Sequence, residues 1–319
     1  MPLHPILQEI VNQTKAANLP PQSEESLQKT RGAYARLRLL AGDPPVMAKI
    51  VNRLISSSQG SIAIRLYYPI EKEIFPVLVY FHPGGFVKGD IDCHDTICRD
   101  IANLAECVVV SVNYRLAPEY KFPSPIEDGY TALKYLKEHA DDLQIDKNRI
   151  AIGGENSGGN IAAVLTHFVK EKGDLHFVLQ VLIYPQTDYT FQSPSHKEFA
   201  KGFLLEEESL HWYADQYIPK GVDRKTPYLS PLWATDFTFL PPALIITAEY
   251  DPLRDEAEAY ADKLKQAGIK VILHRYKEVT HGFFQMGGIL NIAAQAMEEV
   301  AESLKLAFRS KRAPYKGAA

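Results

Sequence analysis

A glycine-flanked turn between an apolar run and a helix-like run is the stretch of this sequence most suited to chemistry. Residues 150–152 form the apolar run, residues 154–158 read GENSG, and a helical pattern covers residues 160–170. A strand, a sharp G-x-S-x-G turn and a helix form the elbow that presents a nucleophilic serine for acyl transfer. Both glycines are in register here, but the residue at the tip is Asn156. The pattern predicts an acyl-transfer scaffold that lacks its attacking hydroxyl.

The next residue, Ser157, carries a hydroxyl but has the wrong spacing. Centring the motif on Ser157 would place Glu155 where the first glycine belongs. The nucleophile position is therefore predicted to be Asn156, and Ser157 is predicted to follow it.

Three further segments suit the same reaction, and each follows a predicted strand. The loop at residues 82–86, HPGGF, can direct backbone N–H groups at a developing oxyanion. Asp251 follows one apolar strand, and His281 follows the last predicted strand. The carboxyl ends of parallel strands share one edge, where open α/β sheets bind ligands. The chain order of elbow, acid and histidine is the order found in α/β-hydrolases.

Apolar runs and helical segments alternate along most of the chain. Continuous apolar runs, which suit strands covered on both faces, lie at residues 77–81, 108–112, 150–152, 178–184, 243–247 and 271–273. Helical segments lie at residues 93–105, 124–141, 159–171, 254–267 and 290–309. This alternation predicts an α/β fold with a mostly parallel sheet flanked by helices. Residues 62–68 alternate in polarity, which predicts a half-exposed edge strand.

Two parts of the chain fall outside this alternation. The amino-terminal part has the pattern of two helices, the second opening at residues 23–26, and an aromatic-rich interval follows Pro185. This interval, at residues 186–236, is longer than an ordinary plain connection between strands. Both parts are predicted to form a helical cap over the carboxyl ends of the strands. The predicted division of this single domain is cap helices 1–45, core 46–185, cap insertion 186–236 and core 237–319.

Composition narrows the class of partner. The formal net charge of −4 and the pI of about 6.2 do not favour nucleic acid or an anionic membrane as a partner. No apolar run approaches the ~18 residues of a spanning helix, so no stable membrane insertion is expected. The start lacks the pattern of a signal peptide, and an odd number of cysteines favours free thiols. These features predict a cytoplasmic protein.

A metal site and a dimer interface were weighed on the same sequence. Cys93, His94 and Cys98 lie close together, but the rest of a zinc ligand set is absent nearby. We therefore expect neither a metal nor an organic cofactor. The last strand, at residues 270–276, is predicted to lie at the sheet edge, where unpaired backbone groups favour a homodimer.

Taken together, the motifs resemble the hormone-sensitive-lipase group of α/β-hydrolase esterases over nearly the whole chain. That family typically shows an HGGG loop, a YRLAPE segment, a GDSAGGN elbow, a DPLRDE segment and an HGF segment. The corresponding segments here are HPGG at 82–85, YRLAPE at 114–119, GENSGGN at 154–160, DPLRDE at 251–256 and HGF at 281–283. Five such segments in order and at ordinary spacing make the resemblance highly specific.

The resemblance implies a role for each matching position. His281 would be the general base, with its other ring nitrogen held by Asp251, although Asp255 is an alternative acid four residues further on. The oxyanion donors would be the backbone N–H groups of Gly84, Gly85 and Ser157. Phe86 would help to bind a small-molecule ester and, with the cap aromatics, would favour a short acyl chain.

Two departures from the family pattern bear on activity. Pro83 replaces the first loop glycine and has no N–H, but the family takes its donors from the next two positions. Asn156 replaces the nucleophile, and asparagine is the kind of residue that tolerates the positive φ of an elbow tip. A carboxamide is a poor nucleophile, so activity is predicted to be lost or strongly impaired.

Two hypotheses follow from Asn156. The chain is either an esterase whose serine was replaced, or a natural ligand binder on the same scaffold, as the gibberellin receptors of this family are. The first is favoured because the predicted base, acid and oxyanion positions all remain suited to catalysis. An unused site would be free to lose more than one of them.

Overall fold

In the computed structural model of this protein, which describes residues 2–17, 24–57 and 60–310, a single twisted sheet carries the site residues on its loops. The strands are β1 (Lys49–Ser57), β2 (Gly60–Tyr68), β3 (Phe75–Phe81), β4 (Val108–Asn113), β5 (Ile145–Glu155), β6 (Leu179–Ile183), β7 (Ala243–Tyr250) and β8 (Val271–Thr280). Their order across the sheet is β1-β2-β4-β3-β5-β6-β7-β8. β2 runs antiparallel to β1 and β4, and the remaining pairs are parallel. The predicted α/β fold with a mostly parallel sheet is confirmed.

Helices cover both faces of this sheet. They are α1 (Pro5–Ala17), α2 (Leu27–Ala35), α3 (Asp95–Ala105), α4 (Ser124–Glu138), α5 (Ser157–Lys172), α6 (Pro194–Glu198), α7 (Glu207–Tyr217), α8 (Arg254–Gln266) and α9 (Asn291–Arg309). Strand β3 shows how the faces are divided, since Val77 and Val79 join the core formed with α4, α5 and α8. Leu78 and Tyr80 join the core formed with α3 and α9. The two-residue period of a strand thus gives β3 two apolar faces, and all its residues are buried.

The prediction for one edge of the sheet was wrong. Residues 62–68 were predicted to form an edge strand, but they belong to β2, and β1 lies at the edge instead. Strands β1 and β2 pair from Lys49 opposite Tyr68 to Ser57 opposite Gly60. Strand β1 gave no apolar run because Ile55 is its one buried residue. At the opposite edge, β8 has β7 as its neighbour. Association through residues 270–276 stays a prediction, which sedimentation at micromolar protein concentration tests: a strictly monomeric species would contradict it.

Helix α2 and the interval after β6 both contact the loop that follows β3. The Lys88 ammonium lies 5.0 Å from the ring centroid of Tyr34, on α2, and 5.1 Å from that of Tyr213, on α7. Ser26 caps α2 by accepting a hydrogen bond from the Lys29 N–H at 3.3 Å. Ser23, where this helix was predicted to open, lies outside the described residues. These contacts join parts of the two segments predicted to form a cap, and the cap with its boundaries at 1–45 and 186–236 stays a prediction.

Candidate active site

The elbow is built by close approach of three backbone segments. Strand β5 ends at Glu155 and α5 begins at Ser157, so Asn156 makes the turn with φ 50° and ψ −113°. A Cβ on Gly154 would lie 2.5 Å from the carbonyl oxygen of Phe81, and a Cβ on Gly158 would overlap the same oxygen. Glycine is required at both positions because the end of β3 presses against the first turn of α5. This packing sets the tip of the elbow beside the loop that follows β3.

A histidine and a carboxylate meet beyond the ends of the two outer parallel strands. Asp251 directly follows β7, and His281 directly follows β8. His281 Nδ1 lies 2.8 Å from Oδ2 of the fully buried Asp251. The other carboxylate oxygen accepts a hydrogen bond from the Leu253 N–H at 2.9 Å. Asp251 is thereby fixed, and it orients the imidazole so that Nε2 is left for proton transfer.

Asp255, the alternative acid, makes different contacts. Its Oδ2 accepts a hydrogen bond from the Ser195 N–H at 2.9 Å, and its own N–H donates to Ser195 Oγ at 3.1 Å. Arg254 Nε donates to Oδ1 of the same carboxylate at 2.8 Å. Asp255 therefore anchors α6 of the cap to the start of α8. This arrangement favours Asp251 as the acid of the site.

The side chain of Asn156 lies against the oxyanion loop. Its backbone N–H donates to the carbonyl of Ile183, at the end of β6, at 3.0 Å. Its Oδ1 accepts a hydrogen bond from the backbone N–H of Gly85 at 3.3 Å. Gly85 is one of the donors that the family resemblance assigns to the oxyanion hole. The carboxamide oxygen of the elbow tip is thus bound by a group expected to bind the carbonyl oxygen of a substrate.

Ser157 has a buried hydroxyl beside Tyr114 and a backbone N–H at the start of α5. It is fully buried, and its Oγ lies 3.4 Å from the hydroxyl of Tyr114, which donates a hydrogen bond to the carbonyl of His82 at 2.7 Å. The Ser157 N–H is the first of α5, where backbone donors have no partner within the helix. This geometry suits an oxyanion donor and not a nucleophile.

The oxyanion loop is a tight turn that depends on glycine. Gly84 and Gly85 have φ values of 128° and 62°, and the Gly84 carbonyl accepts hydrogen bonds at 3.1 Å from the N–H groups of Val87 and Lys88. Phe86 also has a positive φ, of 65°, and its fully buried ring stacks on Tyr217 with the centroids 3.8 Å apart. The stack holds the loop from within the core. Contact of Phe86 with an acyl chain stays a prediction.

Glu155 was not predicted to belong to the site, yet it links the elbow to the histidine. Its buried carboxyl accepts hydrogen bonds from the hydroxyls of Tyr80 and Tyr184, the latter at 2.5 Å. Burial raises the pKa of Glu155 although these two hydrogen bonds act to lower it. The ring of Tyr184 lies 4.6 Å from that of His281, centroid to centroid. An acidic residue between Gly154 and the elbow tip was the available sequence signal.

A second buried acid fixes the segment that leads into the cap. Glu256 Oε1 accepts hydrogen bonds from the N–H groups of Thr187 at 2.7 Å and Asp188 at 3.0 Å. Its Oε2 lies 2.8 Å from Nε2 of His196, and both side chains are buried. The connection after β6 is therefore held against the helix that begins beside Asp251.

The Glu256–His196 pair predicts that stability falls as the pH rises. Burial raises the pKa of Glu256 from 4.5 to about 7. Burial lowers the pKa of His196, but the hydrogen bond that its imidazole donates to Glu256 and the negative charges of nearby carboxylates together outweigh burial, so the pKa is raised above its ordinary 6.5. The folded pair thus keeps a proton that the unfolded chain has already lost. Its contribution to the free energy of unfolding is present below about pH 4.5 and declines through and beyond neutrality.

This decline can be tested by urea unfolding at several pH values between about 5 and 8. The unmodified chain is compared with a Glu256→Gln variant. Glutamine keeps an oxygen for the N–H groups of Thr187 and Asp188 but removes the shared proton. The decline in the free energy of unfolding with pH should be smaller in the variant. Equal slopes in the two proteins would contradict the prediction.

The cysteines and histidine considered as metal ligands do not converge. Cys93 and Cys98 are buried free thiols. His94 is packed between the rings of Tyr34 and His82, with centroids 6.5 and 6.3 Å away, and burial lowers its pKa well below the ordinary value. Among residues 2–17, 24–57 and 60–310, no three metal-ligating side chains come together. Within the same ranges, no helix has the length and apolarity needed to cross a membrane.

Comparisons with known proteins identify the family of the chain. The sequence pattern of a family described as alpha/beta hydrolase fold matches residues 78–285. Carboxylic ester hydrolase LipN of Mycobacterium tuberculosis is 41% identical over 254 residues, which cover 77% of this chain and 68% of that protein. Ethyl acetate hydrolase of Pseudomonas putida is 36% identical over 292 residues, covering 90% and 92%. The structure of a hyperthermophilic esterase from the archaeon Pyrobaculum calidifontis superposes with a TM-score of 0.91 at 40% identity, covering 96% of this chain and 99% of that one.

The fold, the motif order and these similarities define a class of protein: the chain belongs to the α/β-hydrolase fold family. Within that family it groups with the esterases related to hormone-sensitive lipase. The predicted family is therefore confirmed. Its relatives support carboxylic ester hydrolysis as the chemistry of the group.

Proposed function

We propose that this protein carries the active site of a carboxylic ester hydrolase and that Asn156 strongly reduces its turnover. The observation that carries the proposal is the 2.8 Å contact between His281 Nδ1 and Asp251 Oδ2, next to an elbow with the correct backbone turn. With a serine at the tip, His281 would take the hydroxyl proton as oxygen attacks the ester carbonyl. The N–H groups of Gly84, Gly85 and Ser157 would stabilise the oxyanion that forms.

Asn156 impairs this reaction in two ways. Its amide nitrogen shares its lone pair with the carbonyl and has no hydroxyl proton for His281 to remove. Loss of the nucleophile in a comparable triad lowers turnover by about a million-fold. In addition, Asn156 Oδ1 accepts the hydrogen bond of Gly85 at 3.3 Å, so a substrate carbonyl would compete with it for the same donor.

We expect a small-molecule ester with a short acyl chain as the substrate. Aromatic side chains of the predicted cap are buried, and Tyr217 stacks directly on Phe86 of the oxyanion loop. Tyr213, on the same cap helix, contacts the loop at Gly85, where a Cβ would lie 2.6 Å from its ring. We expect this packing to narrow the acyl side of the site. The name of one relative, ethyl acetate hydrolase, is in keeping with this size.

The size of the acyl pocket is testable on an Asn156→Ser variant. We expect kcat/KM for p-nitrophenyl butyrate to exceed that for p-nitrophenyl palmitate by about 100-fold or more, since misplaced reacting atoms cost rates of that order. The two esters share a leaving group, so the ratio reports the acyl side alone. A preference for palmitate would contradict a short pocket.

A second candidate function is ligand binding without turnover. The observation in its favour is that Asn156 satisfies the Gly85 donor with its own carboxamide and leaves the fold of the elbow intact. The experiment that separates the two functions compares the unmodified chain with Asn156→Ser in p-nitrophenyl butyrate hydrolysis and in equilibrium binding of butyrate. An inactive serine variant, together with tight binding by the unmodified chain, would favour the binding function.

A further inference from the structure

Asn156 is itself an acyl compound, and the site holds it as it would hold a substrate. The carboxamide carbon has a leaving group, NH₂, and a carbonyl oxygen that accepts a hydrogen bond from the Gly85 N–H at 3.3 Å. The side chain is attached to a turn with φ 50° and ψ −113°, which is fixed by the glycines on either side. An amide held with its oxygen on an oxyanion donor is polarised toward attack at the carbon.

The proton-transfer group directly follows β8, as Asn156 directly follows β5 in the parallel part of the same sheet. His281 has Nδ1 engaged by Asp251, and its side chain keeps 13% exposure, so water reaches it. Its ring lies 4.6 Å from that of Tyr184, centroid to centroid. Tyr184 follows Ile183, whose carbonyl accepts the Asn156 N–H at 3.0 Å. Two adjacent residues at the end of β6 therefore contact the two groups: Tyr184 packs near His281, and Ile183 binds the backbone of Asn156.

We propose that this site hydrolyses the side-chain amide of Asn156 and converts it into an aspartate. His281 Nε2 takes a proton from a water molecule whose oxygen attacks Cγ of Asn156. The negative charge on Oδ1 is stabilised by the Gly85 N–H, and His281 returns the proton to the NH₂ group as the C–N bond breaks. One water is consumed, one ammonia is released, and nothing is oxidised or reduced. The inference rests on the proposed function, because it uses the same base and the same oxyanion donor.

A competing reaction would start from the same side chain without the site's help. The backbone nitrogen of Ser157 can attack Cγ of Asn156 to form a cyclic imide, which water opens to a mixture of aspartate and isoaspartate. That route needs no histidine. The proposed route gives aspartate alone and depends on His281, so the product and the dependence on the histidine distinguish the two.

The test follows the mass of the full chain during incubation at neutral pH in water labelled with heavy oxygen. Peptide mapping locates the change and separates aspartate from isoaspartate at position 156. We expect the side chain at position 156 to lose its NH₂ group and to gain one labelled oxygen. We expect the peptide map to show aspartate and no isoaspartate at this position. His281→Ala and His281→Gln should slow the reaction by about 100-fold or more, the usual effect of removing a general base.

His176→Ala is the matched control, because His176 is exposed and lies before β6, at the opposite end of the strands from the site. It should convert at the rate of the unmodified chain. Urea unfolding of both His281 variants confirms that they are folded before their rates are compared. An unchanged mass, or isoaspartate forming at equal rates with and without His281, would overturn the proposal.

Ester hydrolysis by Asn156→Ser separates this inference from the proposed function. If the serine variant is active but the mass of the unmodified chain stays constant, the proposed self-hydrolysis is contradicted and the proposed esterase site is still supported. If the serine variant is inactive, the proposed esterase site is contradicted. The mass of the unmodified chain decides the self-hydrolysis in either case.

Discussion

Replacing Asn156 with serine should raise the hydrolysis of a short-chain p-nitrophenyl ester by up to about a million-fold, the effect of the nucleophile in a comparable triad. The turn at φ 50° already has the backbone of an elbow tip, and His281 is already oriented by Asp251. The substitution also removes the carboxamide oxygen that accepts the Gly85 hydrogen bond. Both the nucleophile and a free oxyanion donor are thus restored by one change. The measurement is kcat/KM for p-nitrophenyl butyrate, with the unmodified chain as reference.

Two companion variants make this result specific. Adding His281→Ala to Asn156→Ser should remove most of the gain, because the serine loses its base. Ser157→Ala in the unmodified chain should change little, since the Ser157 hydroxyl faces Tyr114 and only its N–H is assigned to the site. A fast unmodified enzyme that is inactivated by Ser157→Ala would show that the tip of the elbow is misassigned.

Changing Asp251 to asparagine in the serine-restored protein should lower kcat by about ten-thousand-fold, as in a serine-protease triad that loses its carboxylate. Asp251 Oδ2 accepts a hydrogen bond from His281 Nδ1, 2.8 Å away, and an amide there would favour the wrong tautomer of the imidazole. The volume and the Leu253 hydrogen bond are largely kept, so the fold should persist.

Asp255→Asn is the matched control for this substitution. Asp255 lies four residues further on in the same segment, but its contacts are with Ser195 and Arg254 of the cap junction. This change should lower the free energy of unfolding more than it lowers kcat. Equal losses of kcat in the two variants would argue against Asp251 as the acid that orients His281.

The chemistry-bearing turns were predictable because their residue types have few alternatives. Gly154 and Gly158 are required where the backbones of β3, β5 and α5 touch, and such a requirement is visible in the sequence. Strand β3 was equally clear, since a strand buried on both faces must be apolar throughout. The α/β fold and the places of Asn156 and His281 at strand ends follow from these local constraints.

Other features depend on contacts between distant parts of the chain. Strand β1 is mostly exposed, so its pairing with β2 left no apolar pattern. The carboxyl of Glu155 is satisfied by Tyr80 and Tyr184, which lie on two different strands, and no spacing rule links the three. The hydrogen bond from Gly85 to the Asn156 side chain likewise joins residues 71 positions apart. Only the folded structure brings such groups together.

The most direct test of the account is covalent labelling of the elbow with a p-nitrophenyl phosphonate ester, followed by peptide mass mapping. In the Asn156→Ser variant, we predict one phosphonate per chain, attached at position 156, and strongly reduced labelling when His281→Ala is added. The unmodified chain should remain unlabelled, because a carboxamide does not attack phosphorus. Attachment at Ser157, or an unlabelled Asn156→Ser variant that unfolds like the unmodified chain, would contradict the claim that this is an ester-hydrolase site lacking its nucleophile.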